Sequence, residues 1–451
     1  MTTESRLANI LSFNSSQLPA PLMELAKTCL LDLIGVAASA TQTQLANIGG
    51  RFVKSQYPGH RPLLFTQGSA SPIGAALYGG WLIDALDAHD GHVLTKGHAG
   101  VALLPGLLAM EQSDRLSGKA FLAELIVGYE IATRAGIALH ATSCDYHTSG
   151  TWNCLGVAGV GARLSGFETD KLHHALGIAE FYAPRSQMMR CIDHPTMLKD
   201  GSGWGAMTGI ASVFLAQEGF TGAPSLLLAQ NETNDLWDDL GDRWRITEQY
   251  FKRYPVCYWA QPAIEAVLSL RCDIAPQELI TDIEIETFHQ ARRLHVVLPD
   301  STEQAQYSLP WAVACAVLTG TVNQQSVTTD LGHQDIRSLA QKVRITESPI
   351  FNRAFPARRW SRARIRLSSG RVLESQDCQA AGTPDAPLSR HVLNTKFLEL
   401  ALPVLGERAY AIQEVITDLD QRPASDLLRL LGPIATLHAS DHQNAPAYGN
   451  Q

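Results

Sequence analysis

Residues 146–166, YHTSGTWNCLGVAGVGARLSG, decide the fold. Within them GVAGVG (156–161) superficially resembles a nucleotide-binding loop. Such a loop follows a strand and opens a helix. No run before it alternates with period two, so no strand precedes it. The small residues are read instead as one helix packed tightly against its neighbours. Tyr146 and His147 stand just before its first turn. Two readings of that turn are open. Thr148 or Ser149 caps the helix, or the Tyr-His pair occupies its positive end, where a substrate carboxylate is favoured.

Working outward, the same helical pattern continues. SGKAFLAELIVGYEIATRAGIALH (117–140) is expected to be a long helix with Ser117 as N-cap, and Glu130 and Arg134, four apart, pair if they are exposed. Residues 69–86 are rich in Gly and Ala and are read as packed helices rather than linkers. In 21–40, Leu22, Leu25, Cys29, Leu33 and Val36 recur at helical spacing. Residues 171–181 and 205–220 continue the pattern, and up to about 266 no strand is expected. The character then changes. ITDIEIETF (280–288) alternates with period two, and 363–376 reads as a hairpin turning on Ser-Ser-Gly. Between them 310–320 and 333–343 read as helices, and from 394 onward the pattern is helical again. Residues 439–451 are expected to be a loose tail. The fold class is therefore mainly α, with an α+β second domain.

Composition narrows the function. The 451 residues carry a net charge of −8, which argues against nucleic acid or an anionic membrane surface as partner. No window is apolar enough to span a membrane, and the polar N-terminus does not read as a signal peptide. The eight cysteines are scattered without a CxxC pair. That suits reduced thiols, a cytoplasmic location and no structural zinc.

Chemistry-bearing residues concentrate in three stretches. DALDAHDGHVLTKGHAG (84–100) holds Asp87, His89, Asp90, His92 and His98. Aspartates and histidines this close suit a metal site, acid–base chemistry, or helix capping, and the spacing does not fit HExxH. Residues 183–205 carry Arg185, Arg190, His194 and Lys199 among glycines. A lysine beside glycines can lie against a ligand, and partial burial lowers its pKa towards base duty. FKRYPVCYWAQPAIEAV (251–267) adds Lys252 and Arg253 as solvated cations or carboxylate contacts.

Taken in order, LLDLIGVAAS, DALDAHDGHVLTKGHAG, GYEIATRAG, the stretch quoted first, MLKDGSGWGAMTGIAS, KRYPVCYWAQPAIEA and AQYSLPWAVACAVLTG resemble the MmgE/PrpD family. That family includes 2-methylcitrate dehydratase, cis-aconitate decarboxylase and iminodisuccinate epimerase. The resemblance implies a helical domain formed by 1–266 and 395–451, with 267–394 inserted as an α+β lid domain. It matches His98, His147, Lys199 and Asp87 to the family's pocket residues. It also implies a homodimer and a small polycarboxylate substrate. Three departures stand out. The chain has Asp87-Ala-His-Asp-Gly91 where Asp-Phe-Asp-Asp-Thr is usual, Gln261 where His is frequent, and Trp311 where a tyrosine is expected.

Losing a hydroxyl and two proton-transfer groups weighs against dehydration, which needs a general acid. Epimerisation asks for less: a base on one face of a carbon alpha to a carboxylate, a proton donor on the other, and cations for the enediolate. The expectation is a cofactor-independent, metal-free epimerase resembling iminodisuccinate epimerase. Tyr146 and Lys199 are the opposed pair, with His98 and His147 in support. Asp87, Arg185, Lys252 and Gln261 bind substrate. The alternatives are a methylcitrate- or aconitate-type lyase and a non-catalytic binding protein of the same family.

Overall fold

The computed structural model describes residues 2–13, 15, 16 and 18–434, so the expected tail at 439–451 lies outside the described residues. The stretch quoted first forms the helix Gly150–Leu164, with helices against it on both sides. A Cβ on Gly156 would lie 2.7 Å from the Gly128 carbonyl oxygen of helix Gly118–Thr142. One on Gly161 would lie 2.8 Å from Val213 of helix Ser202–Gln217. The glycines are therefore contact points between helix backbones, where any side chain must displace a neighbour. Helix Pro72–Ala85 packs on Ser202–Gln217 in turn.

Ser117 caps Gly118–Thr142 by accepting from the Ala120 amide. Glu130 and Arg134 on that helix are fully buried rather than surface partners. Arg134 also donates to the Arg243 carbonyl at 2.6 Å, so the pair anchors the irregular segment 234–248 to the helical body. Helix Ala20–Ala40 packs along Arg390–Leu405, so the chain's C-terminal part returns to its N-terminal part. The expected boundary at 395 falls inside that last helix.

The sheet after residue 270 has four strands, ordered Val343–Glu347, Ile280–Thr287, Arg362–Leu367 and Val372–Glu374. The first pair is parallel and the others antiparallel. Ile283, Ile285, Ala363 and Ile365 are buried on one face, while Glu284, Arg344 and Arg364 form a charged ladder on the other. Alternation of this kind is what a half-buried sheet requires. Strand Val343–Glu347 differs from expectation: the preceding helix ends at Ala340, not at 343. Five residues are too few for alternation to stand out.

Two short strand pairs inside the helical part also depart from the all-α reading. Arg61–Pro62 pairs with Ser69–Ala70, and Gly91–His92 pairs with Gln249–Tyr250. Two-residue strands carry no period and are invisible to pattern reading. The second pair joins the Asp/His-rich loop to the segment carrying Lys252. Among the described residues no helix is long and apolar enough to cross a membrane.

Candidate active site

Helix Pro72–Ala85 ends before Leu86, which leaves Asp87, His89, Asp90 and His98 on a loop held beneath the helical core. The strand pair Gly91–His92/Gln249–Tyr250 brings Lys252 onto this loop. Lys252 is 1% exposed; its Nζ pairs with the Asp87 carboxylate and donates to the Asp87 carbonyl at 3.3 Å. Burial raises Asp87, but Lys252 and then Lys199 outweigh it and hold the carboxyl below the usual carboxylate range. Asp87 is thus an anion held by contact with Lys252 and favoured further by the charge of Lys199.

His98 is oriented by backbone. Its Nδ1 lies 2.6 Å from the Asp90 carbonyl oxygen, which can only accept, so Nδ1 carries the proton and Nε2 keeps its lone pair. Burial, Lys252 and His89 push the ring well below the usual histidine range. It is a neutral base with its free nitrogen turned away from the carbonyl. The His89 ring meets it edge-on at 4.4 Å, and His89 Nε2 lies 3.6 Å from Asp84 and 4.0 Å from Asp87. The His98 amide donates to Ser149 Oγ at 2.8 Å, and that hydroxyl bonds the Asp200 carboxyl. Ser149 therefore ties helix Gly150–Leu164 to the loop. Its hydroxyl makes no cap on its own helix, contrary to one of the two sequence readings. Burial and the neighbouring Asp84 push Asp200 up to about 8.

Lys199 adopts φ +50°, a left-handed conformation unusual for a lysine and kept only where surroundings enforce it. It is 2% exposed, with Nζ bonded to Gln306 Oε1 and 4.9 Å above the Tyr307 ring. Gln306 is itself fixed by donating to the Ala85 carbonyl at 3.0 Å. Among the described residues Lys199 forms no ion pair closer than 4 Å. It is a buried amine held by a neutral amide and a ring face. Gln306 and Tyr307 were missed in the sequence, where Trp311 stood out instead. Trp311 is a core residue whose indole donates to the Ser326 carbonyl at 2.8 Å. The available signal was position: Gln306 and Tyr307 directly precede Ser308, the N-cap of helix Leu309–Thr319.

With this geometry in place, comparison with known proteins adds the lineage. A model of the MmgE/PrpD N-terminal domain matches residues 6–236, and one of the C-terminal domain matches 254–421. The chain belongs to the MmgE/PrpD family. It is 24% identical to human cis-aconitate decarboxylase, with 99% of this chain and 98% of the relative covered. It is 22% identical to a cis-aconitate decarboxylase of Aspergillus terreus, covering 92% and 93%. The cis-aconitate decarboxylase-like protein oryM of Aspergillus oryzae is also 22% identical, covering 92% and 94%.

The remaining expected site residues of this MmgE/PrpD chain stand apart from the inner cluster. His147 and Arg185 form an outer pair: Arg185 Nε donates to His147 Nε2 at 3.4 Å, and His147 Nδ1 lies 3.1 Å from the Asp145 carbonyl. Burial, then Arg185, lowers His147. Arg185 itself is exposed. Tyr146 lies with Lys96, whose Nζ is 4.7 Å from its ring centre, and with Phe355 at 6.1 Å. Burial pushes its phenol up, opposite to what ground-state base duty requires. No hydrogen bond or ring contact joins Tyr146 to Lys199 among the described residues.

Gln261 is fully buried. Its amide donates to the Tyr254 and Val256 carbonyls at 3.0 and 3.3 Å and accepts from the Arg253 amide. Both of its donors and one of its two acceptor positions shape the loop after Lys252, which leaves one lone pair of Oε1 for a further partner. In the Asp/His stretch Asp87 pairs with Lys252 and His98 Nδ1 faces the Asp90 carbonyl, and among the described residues no three His, Cys, Asp or Glu side chains converge as metal ligands.

Proposed function

We propose that this chain is an enzyme of carbon-acid chemistry on a small polycarboxylate, in which Lys199 and His98 handle the proton. One observation carries the reading: a buried amine without a carboxylate contact, Lys199, lies in one buried cluster with the neutral imidazole of His98, around the Asp87–Lys252 pair. A substrate carboxylate entering there meets positive charge in a water-poor setting, where that charge acts strongly.

Decarboxylation is the form that the relatives favour. The bond to one carboxyl group breaks, carbon dioxide leaves, and the electron pair left behind is delocalised towards a neighbouring carboxylate or alkene. One proton, delivered by the Lys199 ammonium, then quenches it at carbon. Epimerisation is the second reading. It is supported by His98, whose Nε2 keeps its lone pair, by Lys199, whose Nζ is held by Gln306, and by Gly91, which offers no hydroxyl. On this reading His98 replaces Tyr146 in the opposed pair.

Incubation with cis-aconitate, and separately with each stereoisomer of iminodisuccinate, in deuterated water distinguishes them by NMR. Release of carbon dioxide with one deuterium fixed at carbon supports the lyase. Stereoisomer interconversion with alpha deuterium and no loss of mass supports the epimerase. Tight binding of such acids without any turnover leaves the binding-protein alternative and sinks both.

A further inference from the structure

Between the helical part and the sheet-bearing part lies a cavity of about 260 Å³, lined in part by His92, Val93, Glu248, Tyr258 and Arg359. Arg359 is 5% exposed. Its guanidinium lies over two rings, 5.0 Å from the Tyr258 centre and 5.8 Å from Phe355. One Nη2 bond reaches the Val93 carbonyl at 3.2 Å, and Nε is buried with no partner. Among the described residues Arg359 has no ion pair. The two carboxylates that share its cavity are already engaged. Glu248 accepts from His92 at 3.0 Å and from Arg243 at 2.8 Å, and Asp385 pairs with Arg358 at 2.9 Å.

A second cation adds to the first. Lys96, another left-handed residue at φ +51°, donates among the described residues only to the Leu94 carbonyl, at 3.5 Å, and burial together with Arg359 pushes it down to about 8. The two cations flank one pair of rings: Lys96 lies over Tyr146, Tyr146 meets Phe355 at 6.1 Å, and Arg359 lies over Phe355, so an anion entering there is drawn by both. Arg359 is also close to the inner cluster. The Tyr258 ring under its guanidinium stacks on Tyr250 at 3.8 Å, and Tyr250 meets the His98 ring edge-on at 6.3 Å.

We infer that Arg359, with Lys96 beside it, is a second carboxylate-binding subsite at the mouth of the site, taking the carboxylate farthest from the reacting carbon. The inference rests on the polycarboxylate reading above. A planar guanidinium with a free edge matches a carboxylate in two-point contact, and its ring platform holds it without neutralising it. Because Arg359 comes from the sheet-bearing part and Lys252 from the helical part, a three-carboxylate ligand spans both.

The test uses binding rather than turnover: calorimetric titration of the full chain with propane-1,2,3-tricarboxylate and with succinate. The intact protein is expected to bind the tricarboxylate at least ~10-fold more tightly than succinate, as one extra charge-assisted contact implies. Arg359→Gln should erase that preference and leave succinate affinity unchanged, while Arg359→Lys keeps part of it. Should Arg359→Gln fail to fold, Lys96→Asn, which tolerates the left-handed backbone, should weaken the tricarboxylate ~3-fold or more on the same reasoning. Full tricarboxylate affinity in Arg359→Gln, or in Lys96→Asn where that variant stands in, overturns the subsite. If Lys252→Met abolishes binding of both probes at the same time, the polycarboxylate reading survives without it. Failure of the intact protein to bind either probe overturns both.

Discussion

In the proposed reaction the chemistry turns on Lys199, whose Nζ is buried against a neutral amide and a ring rather than a carboxylate. Lys199→Ala is expected to lower kcat by roughly 10²–10⁴-fold, the range for losing a positioned acid or base, while circular dichroism shows an unchanged fold. An unchanged rate removes Lys199 from the mechanism. In the same proposal His98 sets the acid limb. Its folded pKa lies well below the usual value, so the rate should hold as pH falls through 6.5 and decline only at lower pH. Asp200 acts in the opposite sense on stability. Its folded pKa, about 8, lies above the ordinary 3.8, so the native chain holds a proton that the unfolded chain has released. The stability linked to that proton declines as pH rises above about 4 and is gone above about 8. The thermal midpoint should therefore fall as pH rises from 6 to 9, and Asp200→Asn should flatten that slope; an equal slope in the variant assigns the loss elsewhere. Much of this cluster could be named from sequence, because buried lysines, aspartates and histidines among glycines are chemically conspicuous. Gln306, Tyr307 and Arg359 could not, since an amide, a phenol and one more arginine become significant only through partners far along the chain, 107 positions away for Lys199 and Gln306.

Elements place these residues through close backbone contact, and helix Gly150–Leu164 shows why. Gly156 touches the carbonyl of Gly128, so the two helices are set as near as their main chains allow. Gly156→Val forces them apart and should cost about 1–3 kcal/mol, or more if the backbone cannot shift, read as a lower urea midpoint. A midpoint equal to wild type would show that the helices have slack. Since Ser149 at the head of this helix holds the His98 amide, a smaller loss of kcat should accompany the loss of stability. Long helices and the eight-residue strand Ile280–Thr287 were legible because their periods repeat several times. The strand pair that carries Lys252 to Asp87 was not, having only two residues on each side. Pattern length explains this division, since what aims the site is shorter than one period of anything a sequence can display.

Across the whole molecule, the loop bearing Asp87 is held from below by the chain's last third. Lys396, on helix Arg390–Leu405, reaches Asp32 at 2.5 Å and the Ala88 carbonyl at 2.6 Å, placing one ammonium between helix Ala20–Ala40 and the backbone just after Asp87. All three groups are buried, and the second Asp32 oxygen has no partner at all. Removing only the cation leaves a buried carboxylate unpaired, a loss of about 3–5 kcal/mol. Lys396→Met should therefore lower the urea midpoint sharply, and it should reduce kcat although the residue touches no proposed substrate group, because the Ala88 carbonyl is released with it. Asp32→Asn in the same chain removes the stranded charge and should recover a large part of the stability. It should not recover the rate, since the amide introduced there cannot hold the Ala88 carbonyl from the far side of the missing amine. This split between stability and rate is what separates a positioning role from simple packing. Strictly additive losses in the double variant would mean that the two residues act independently, and the link from the C-terminal helix to the site would fall with them.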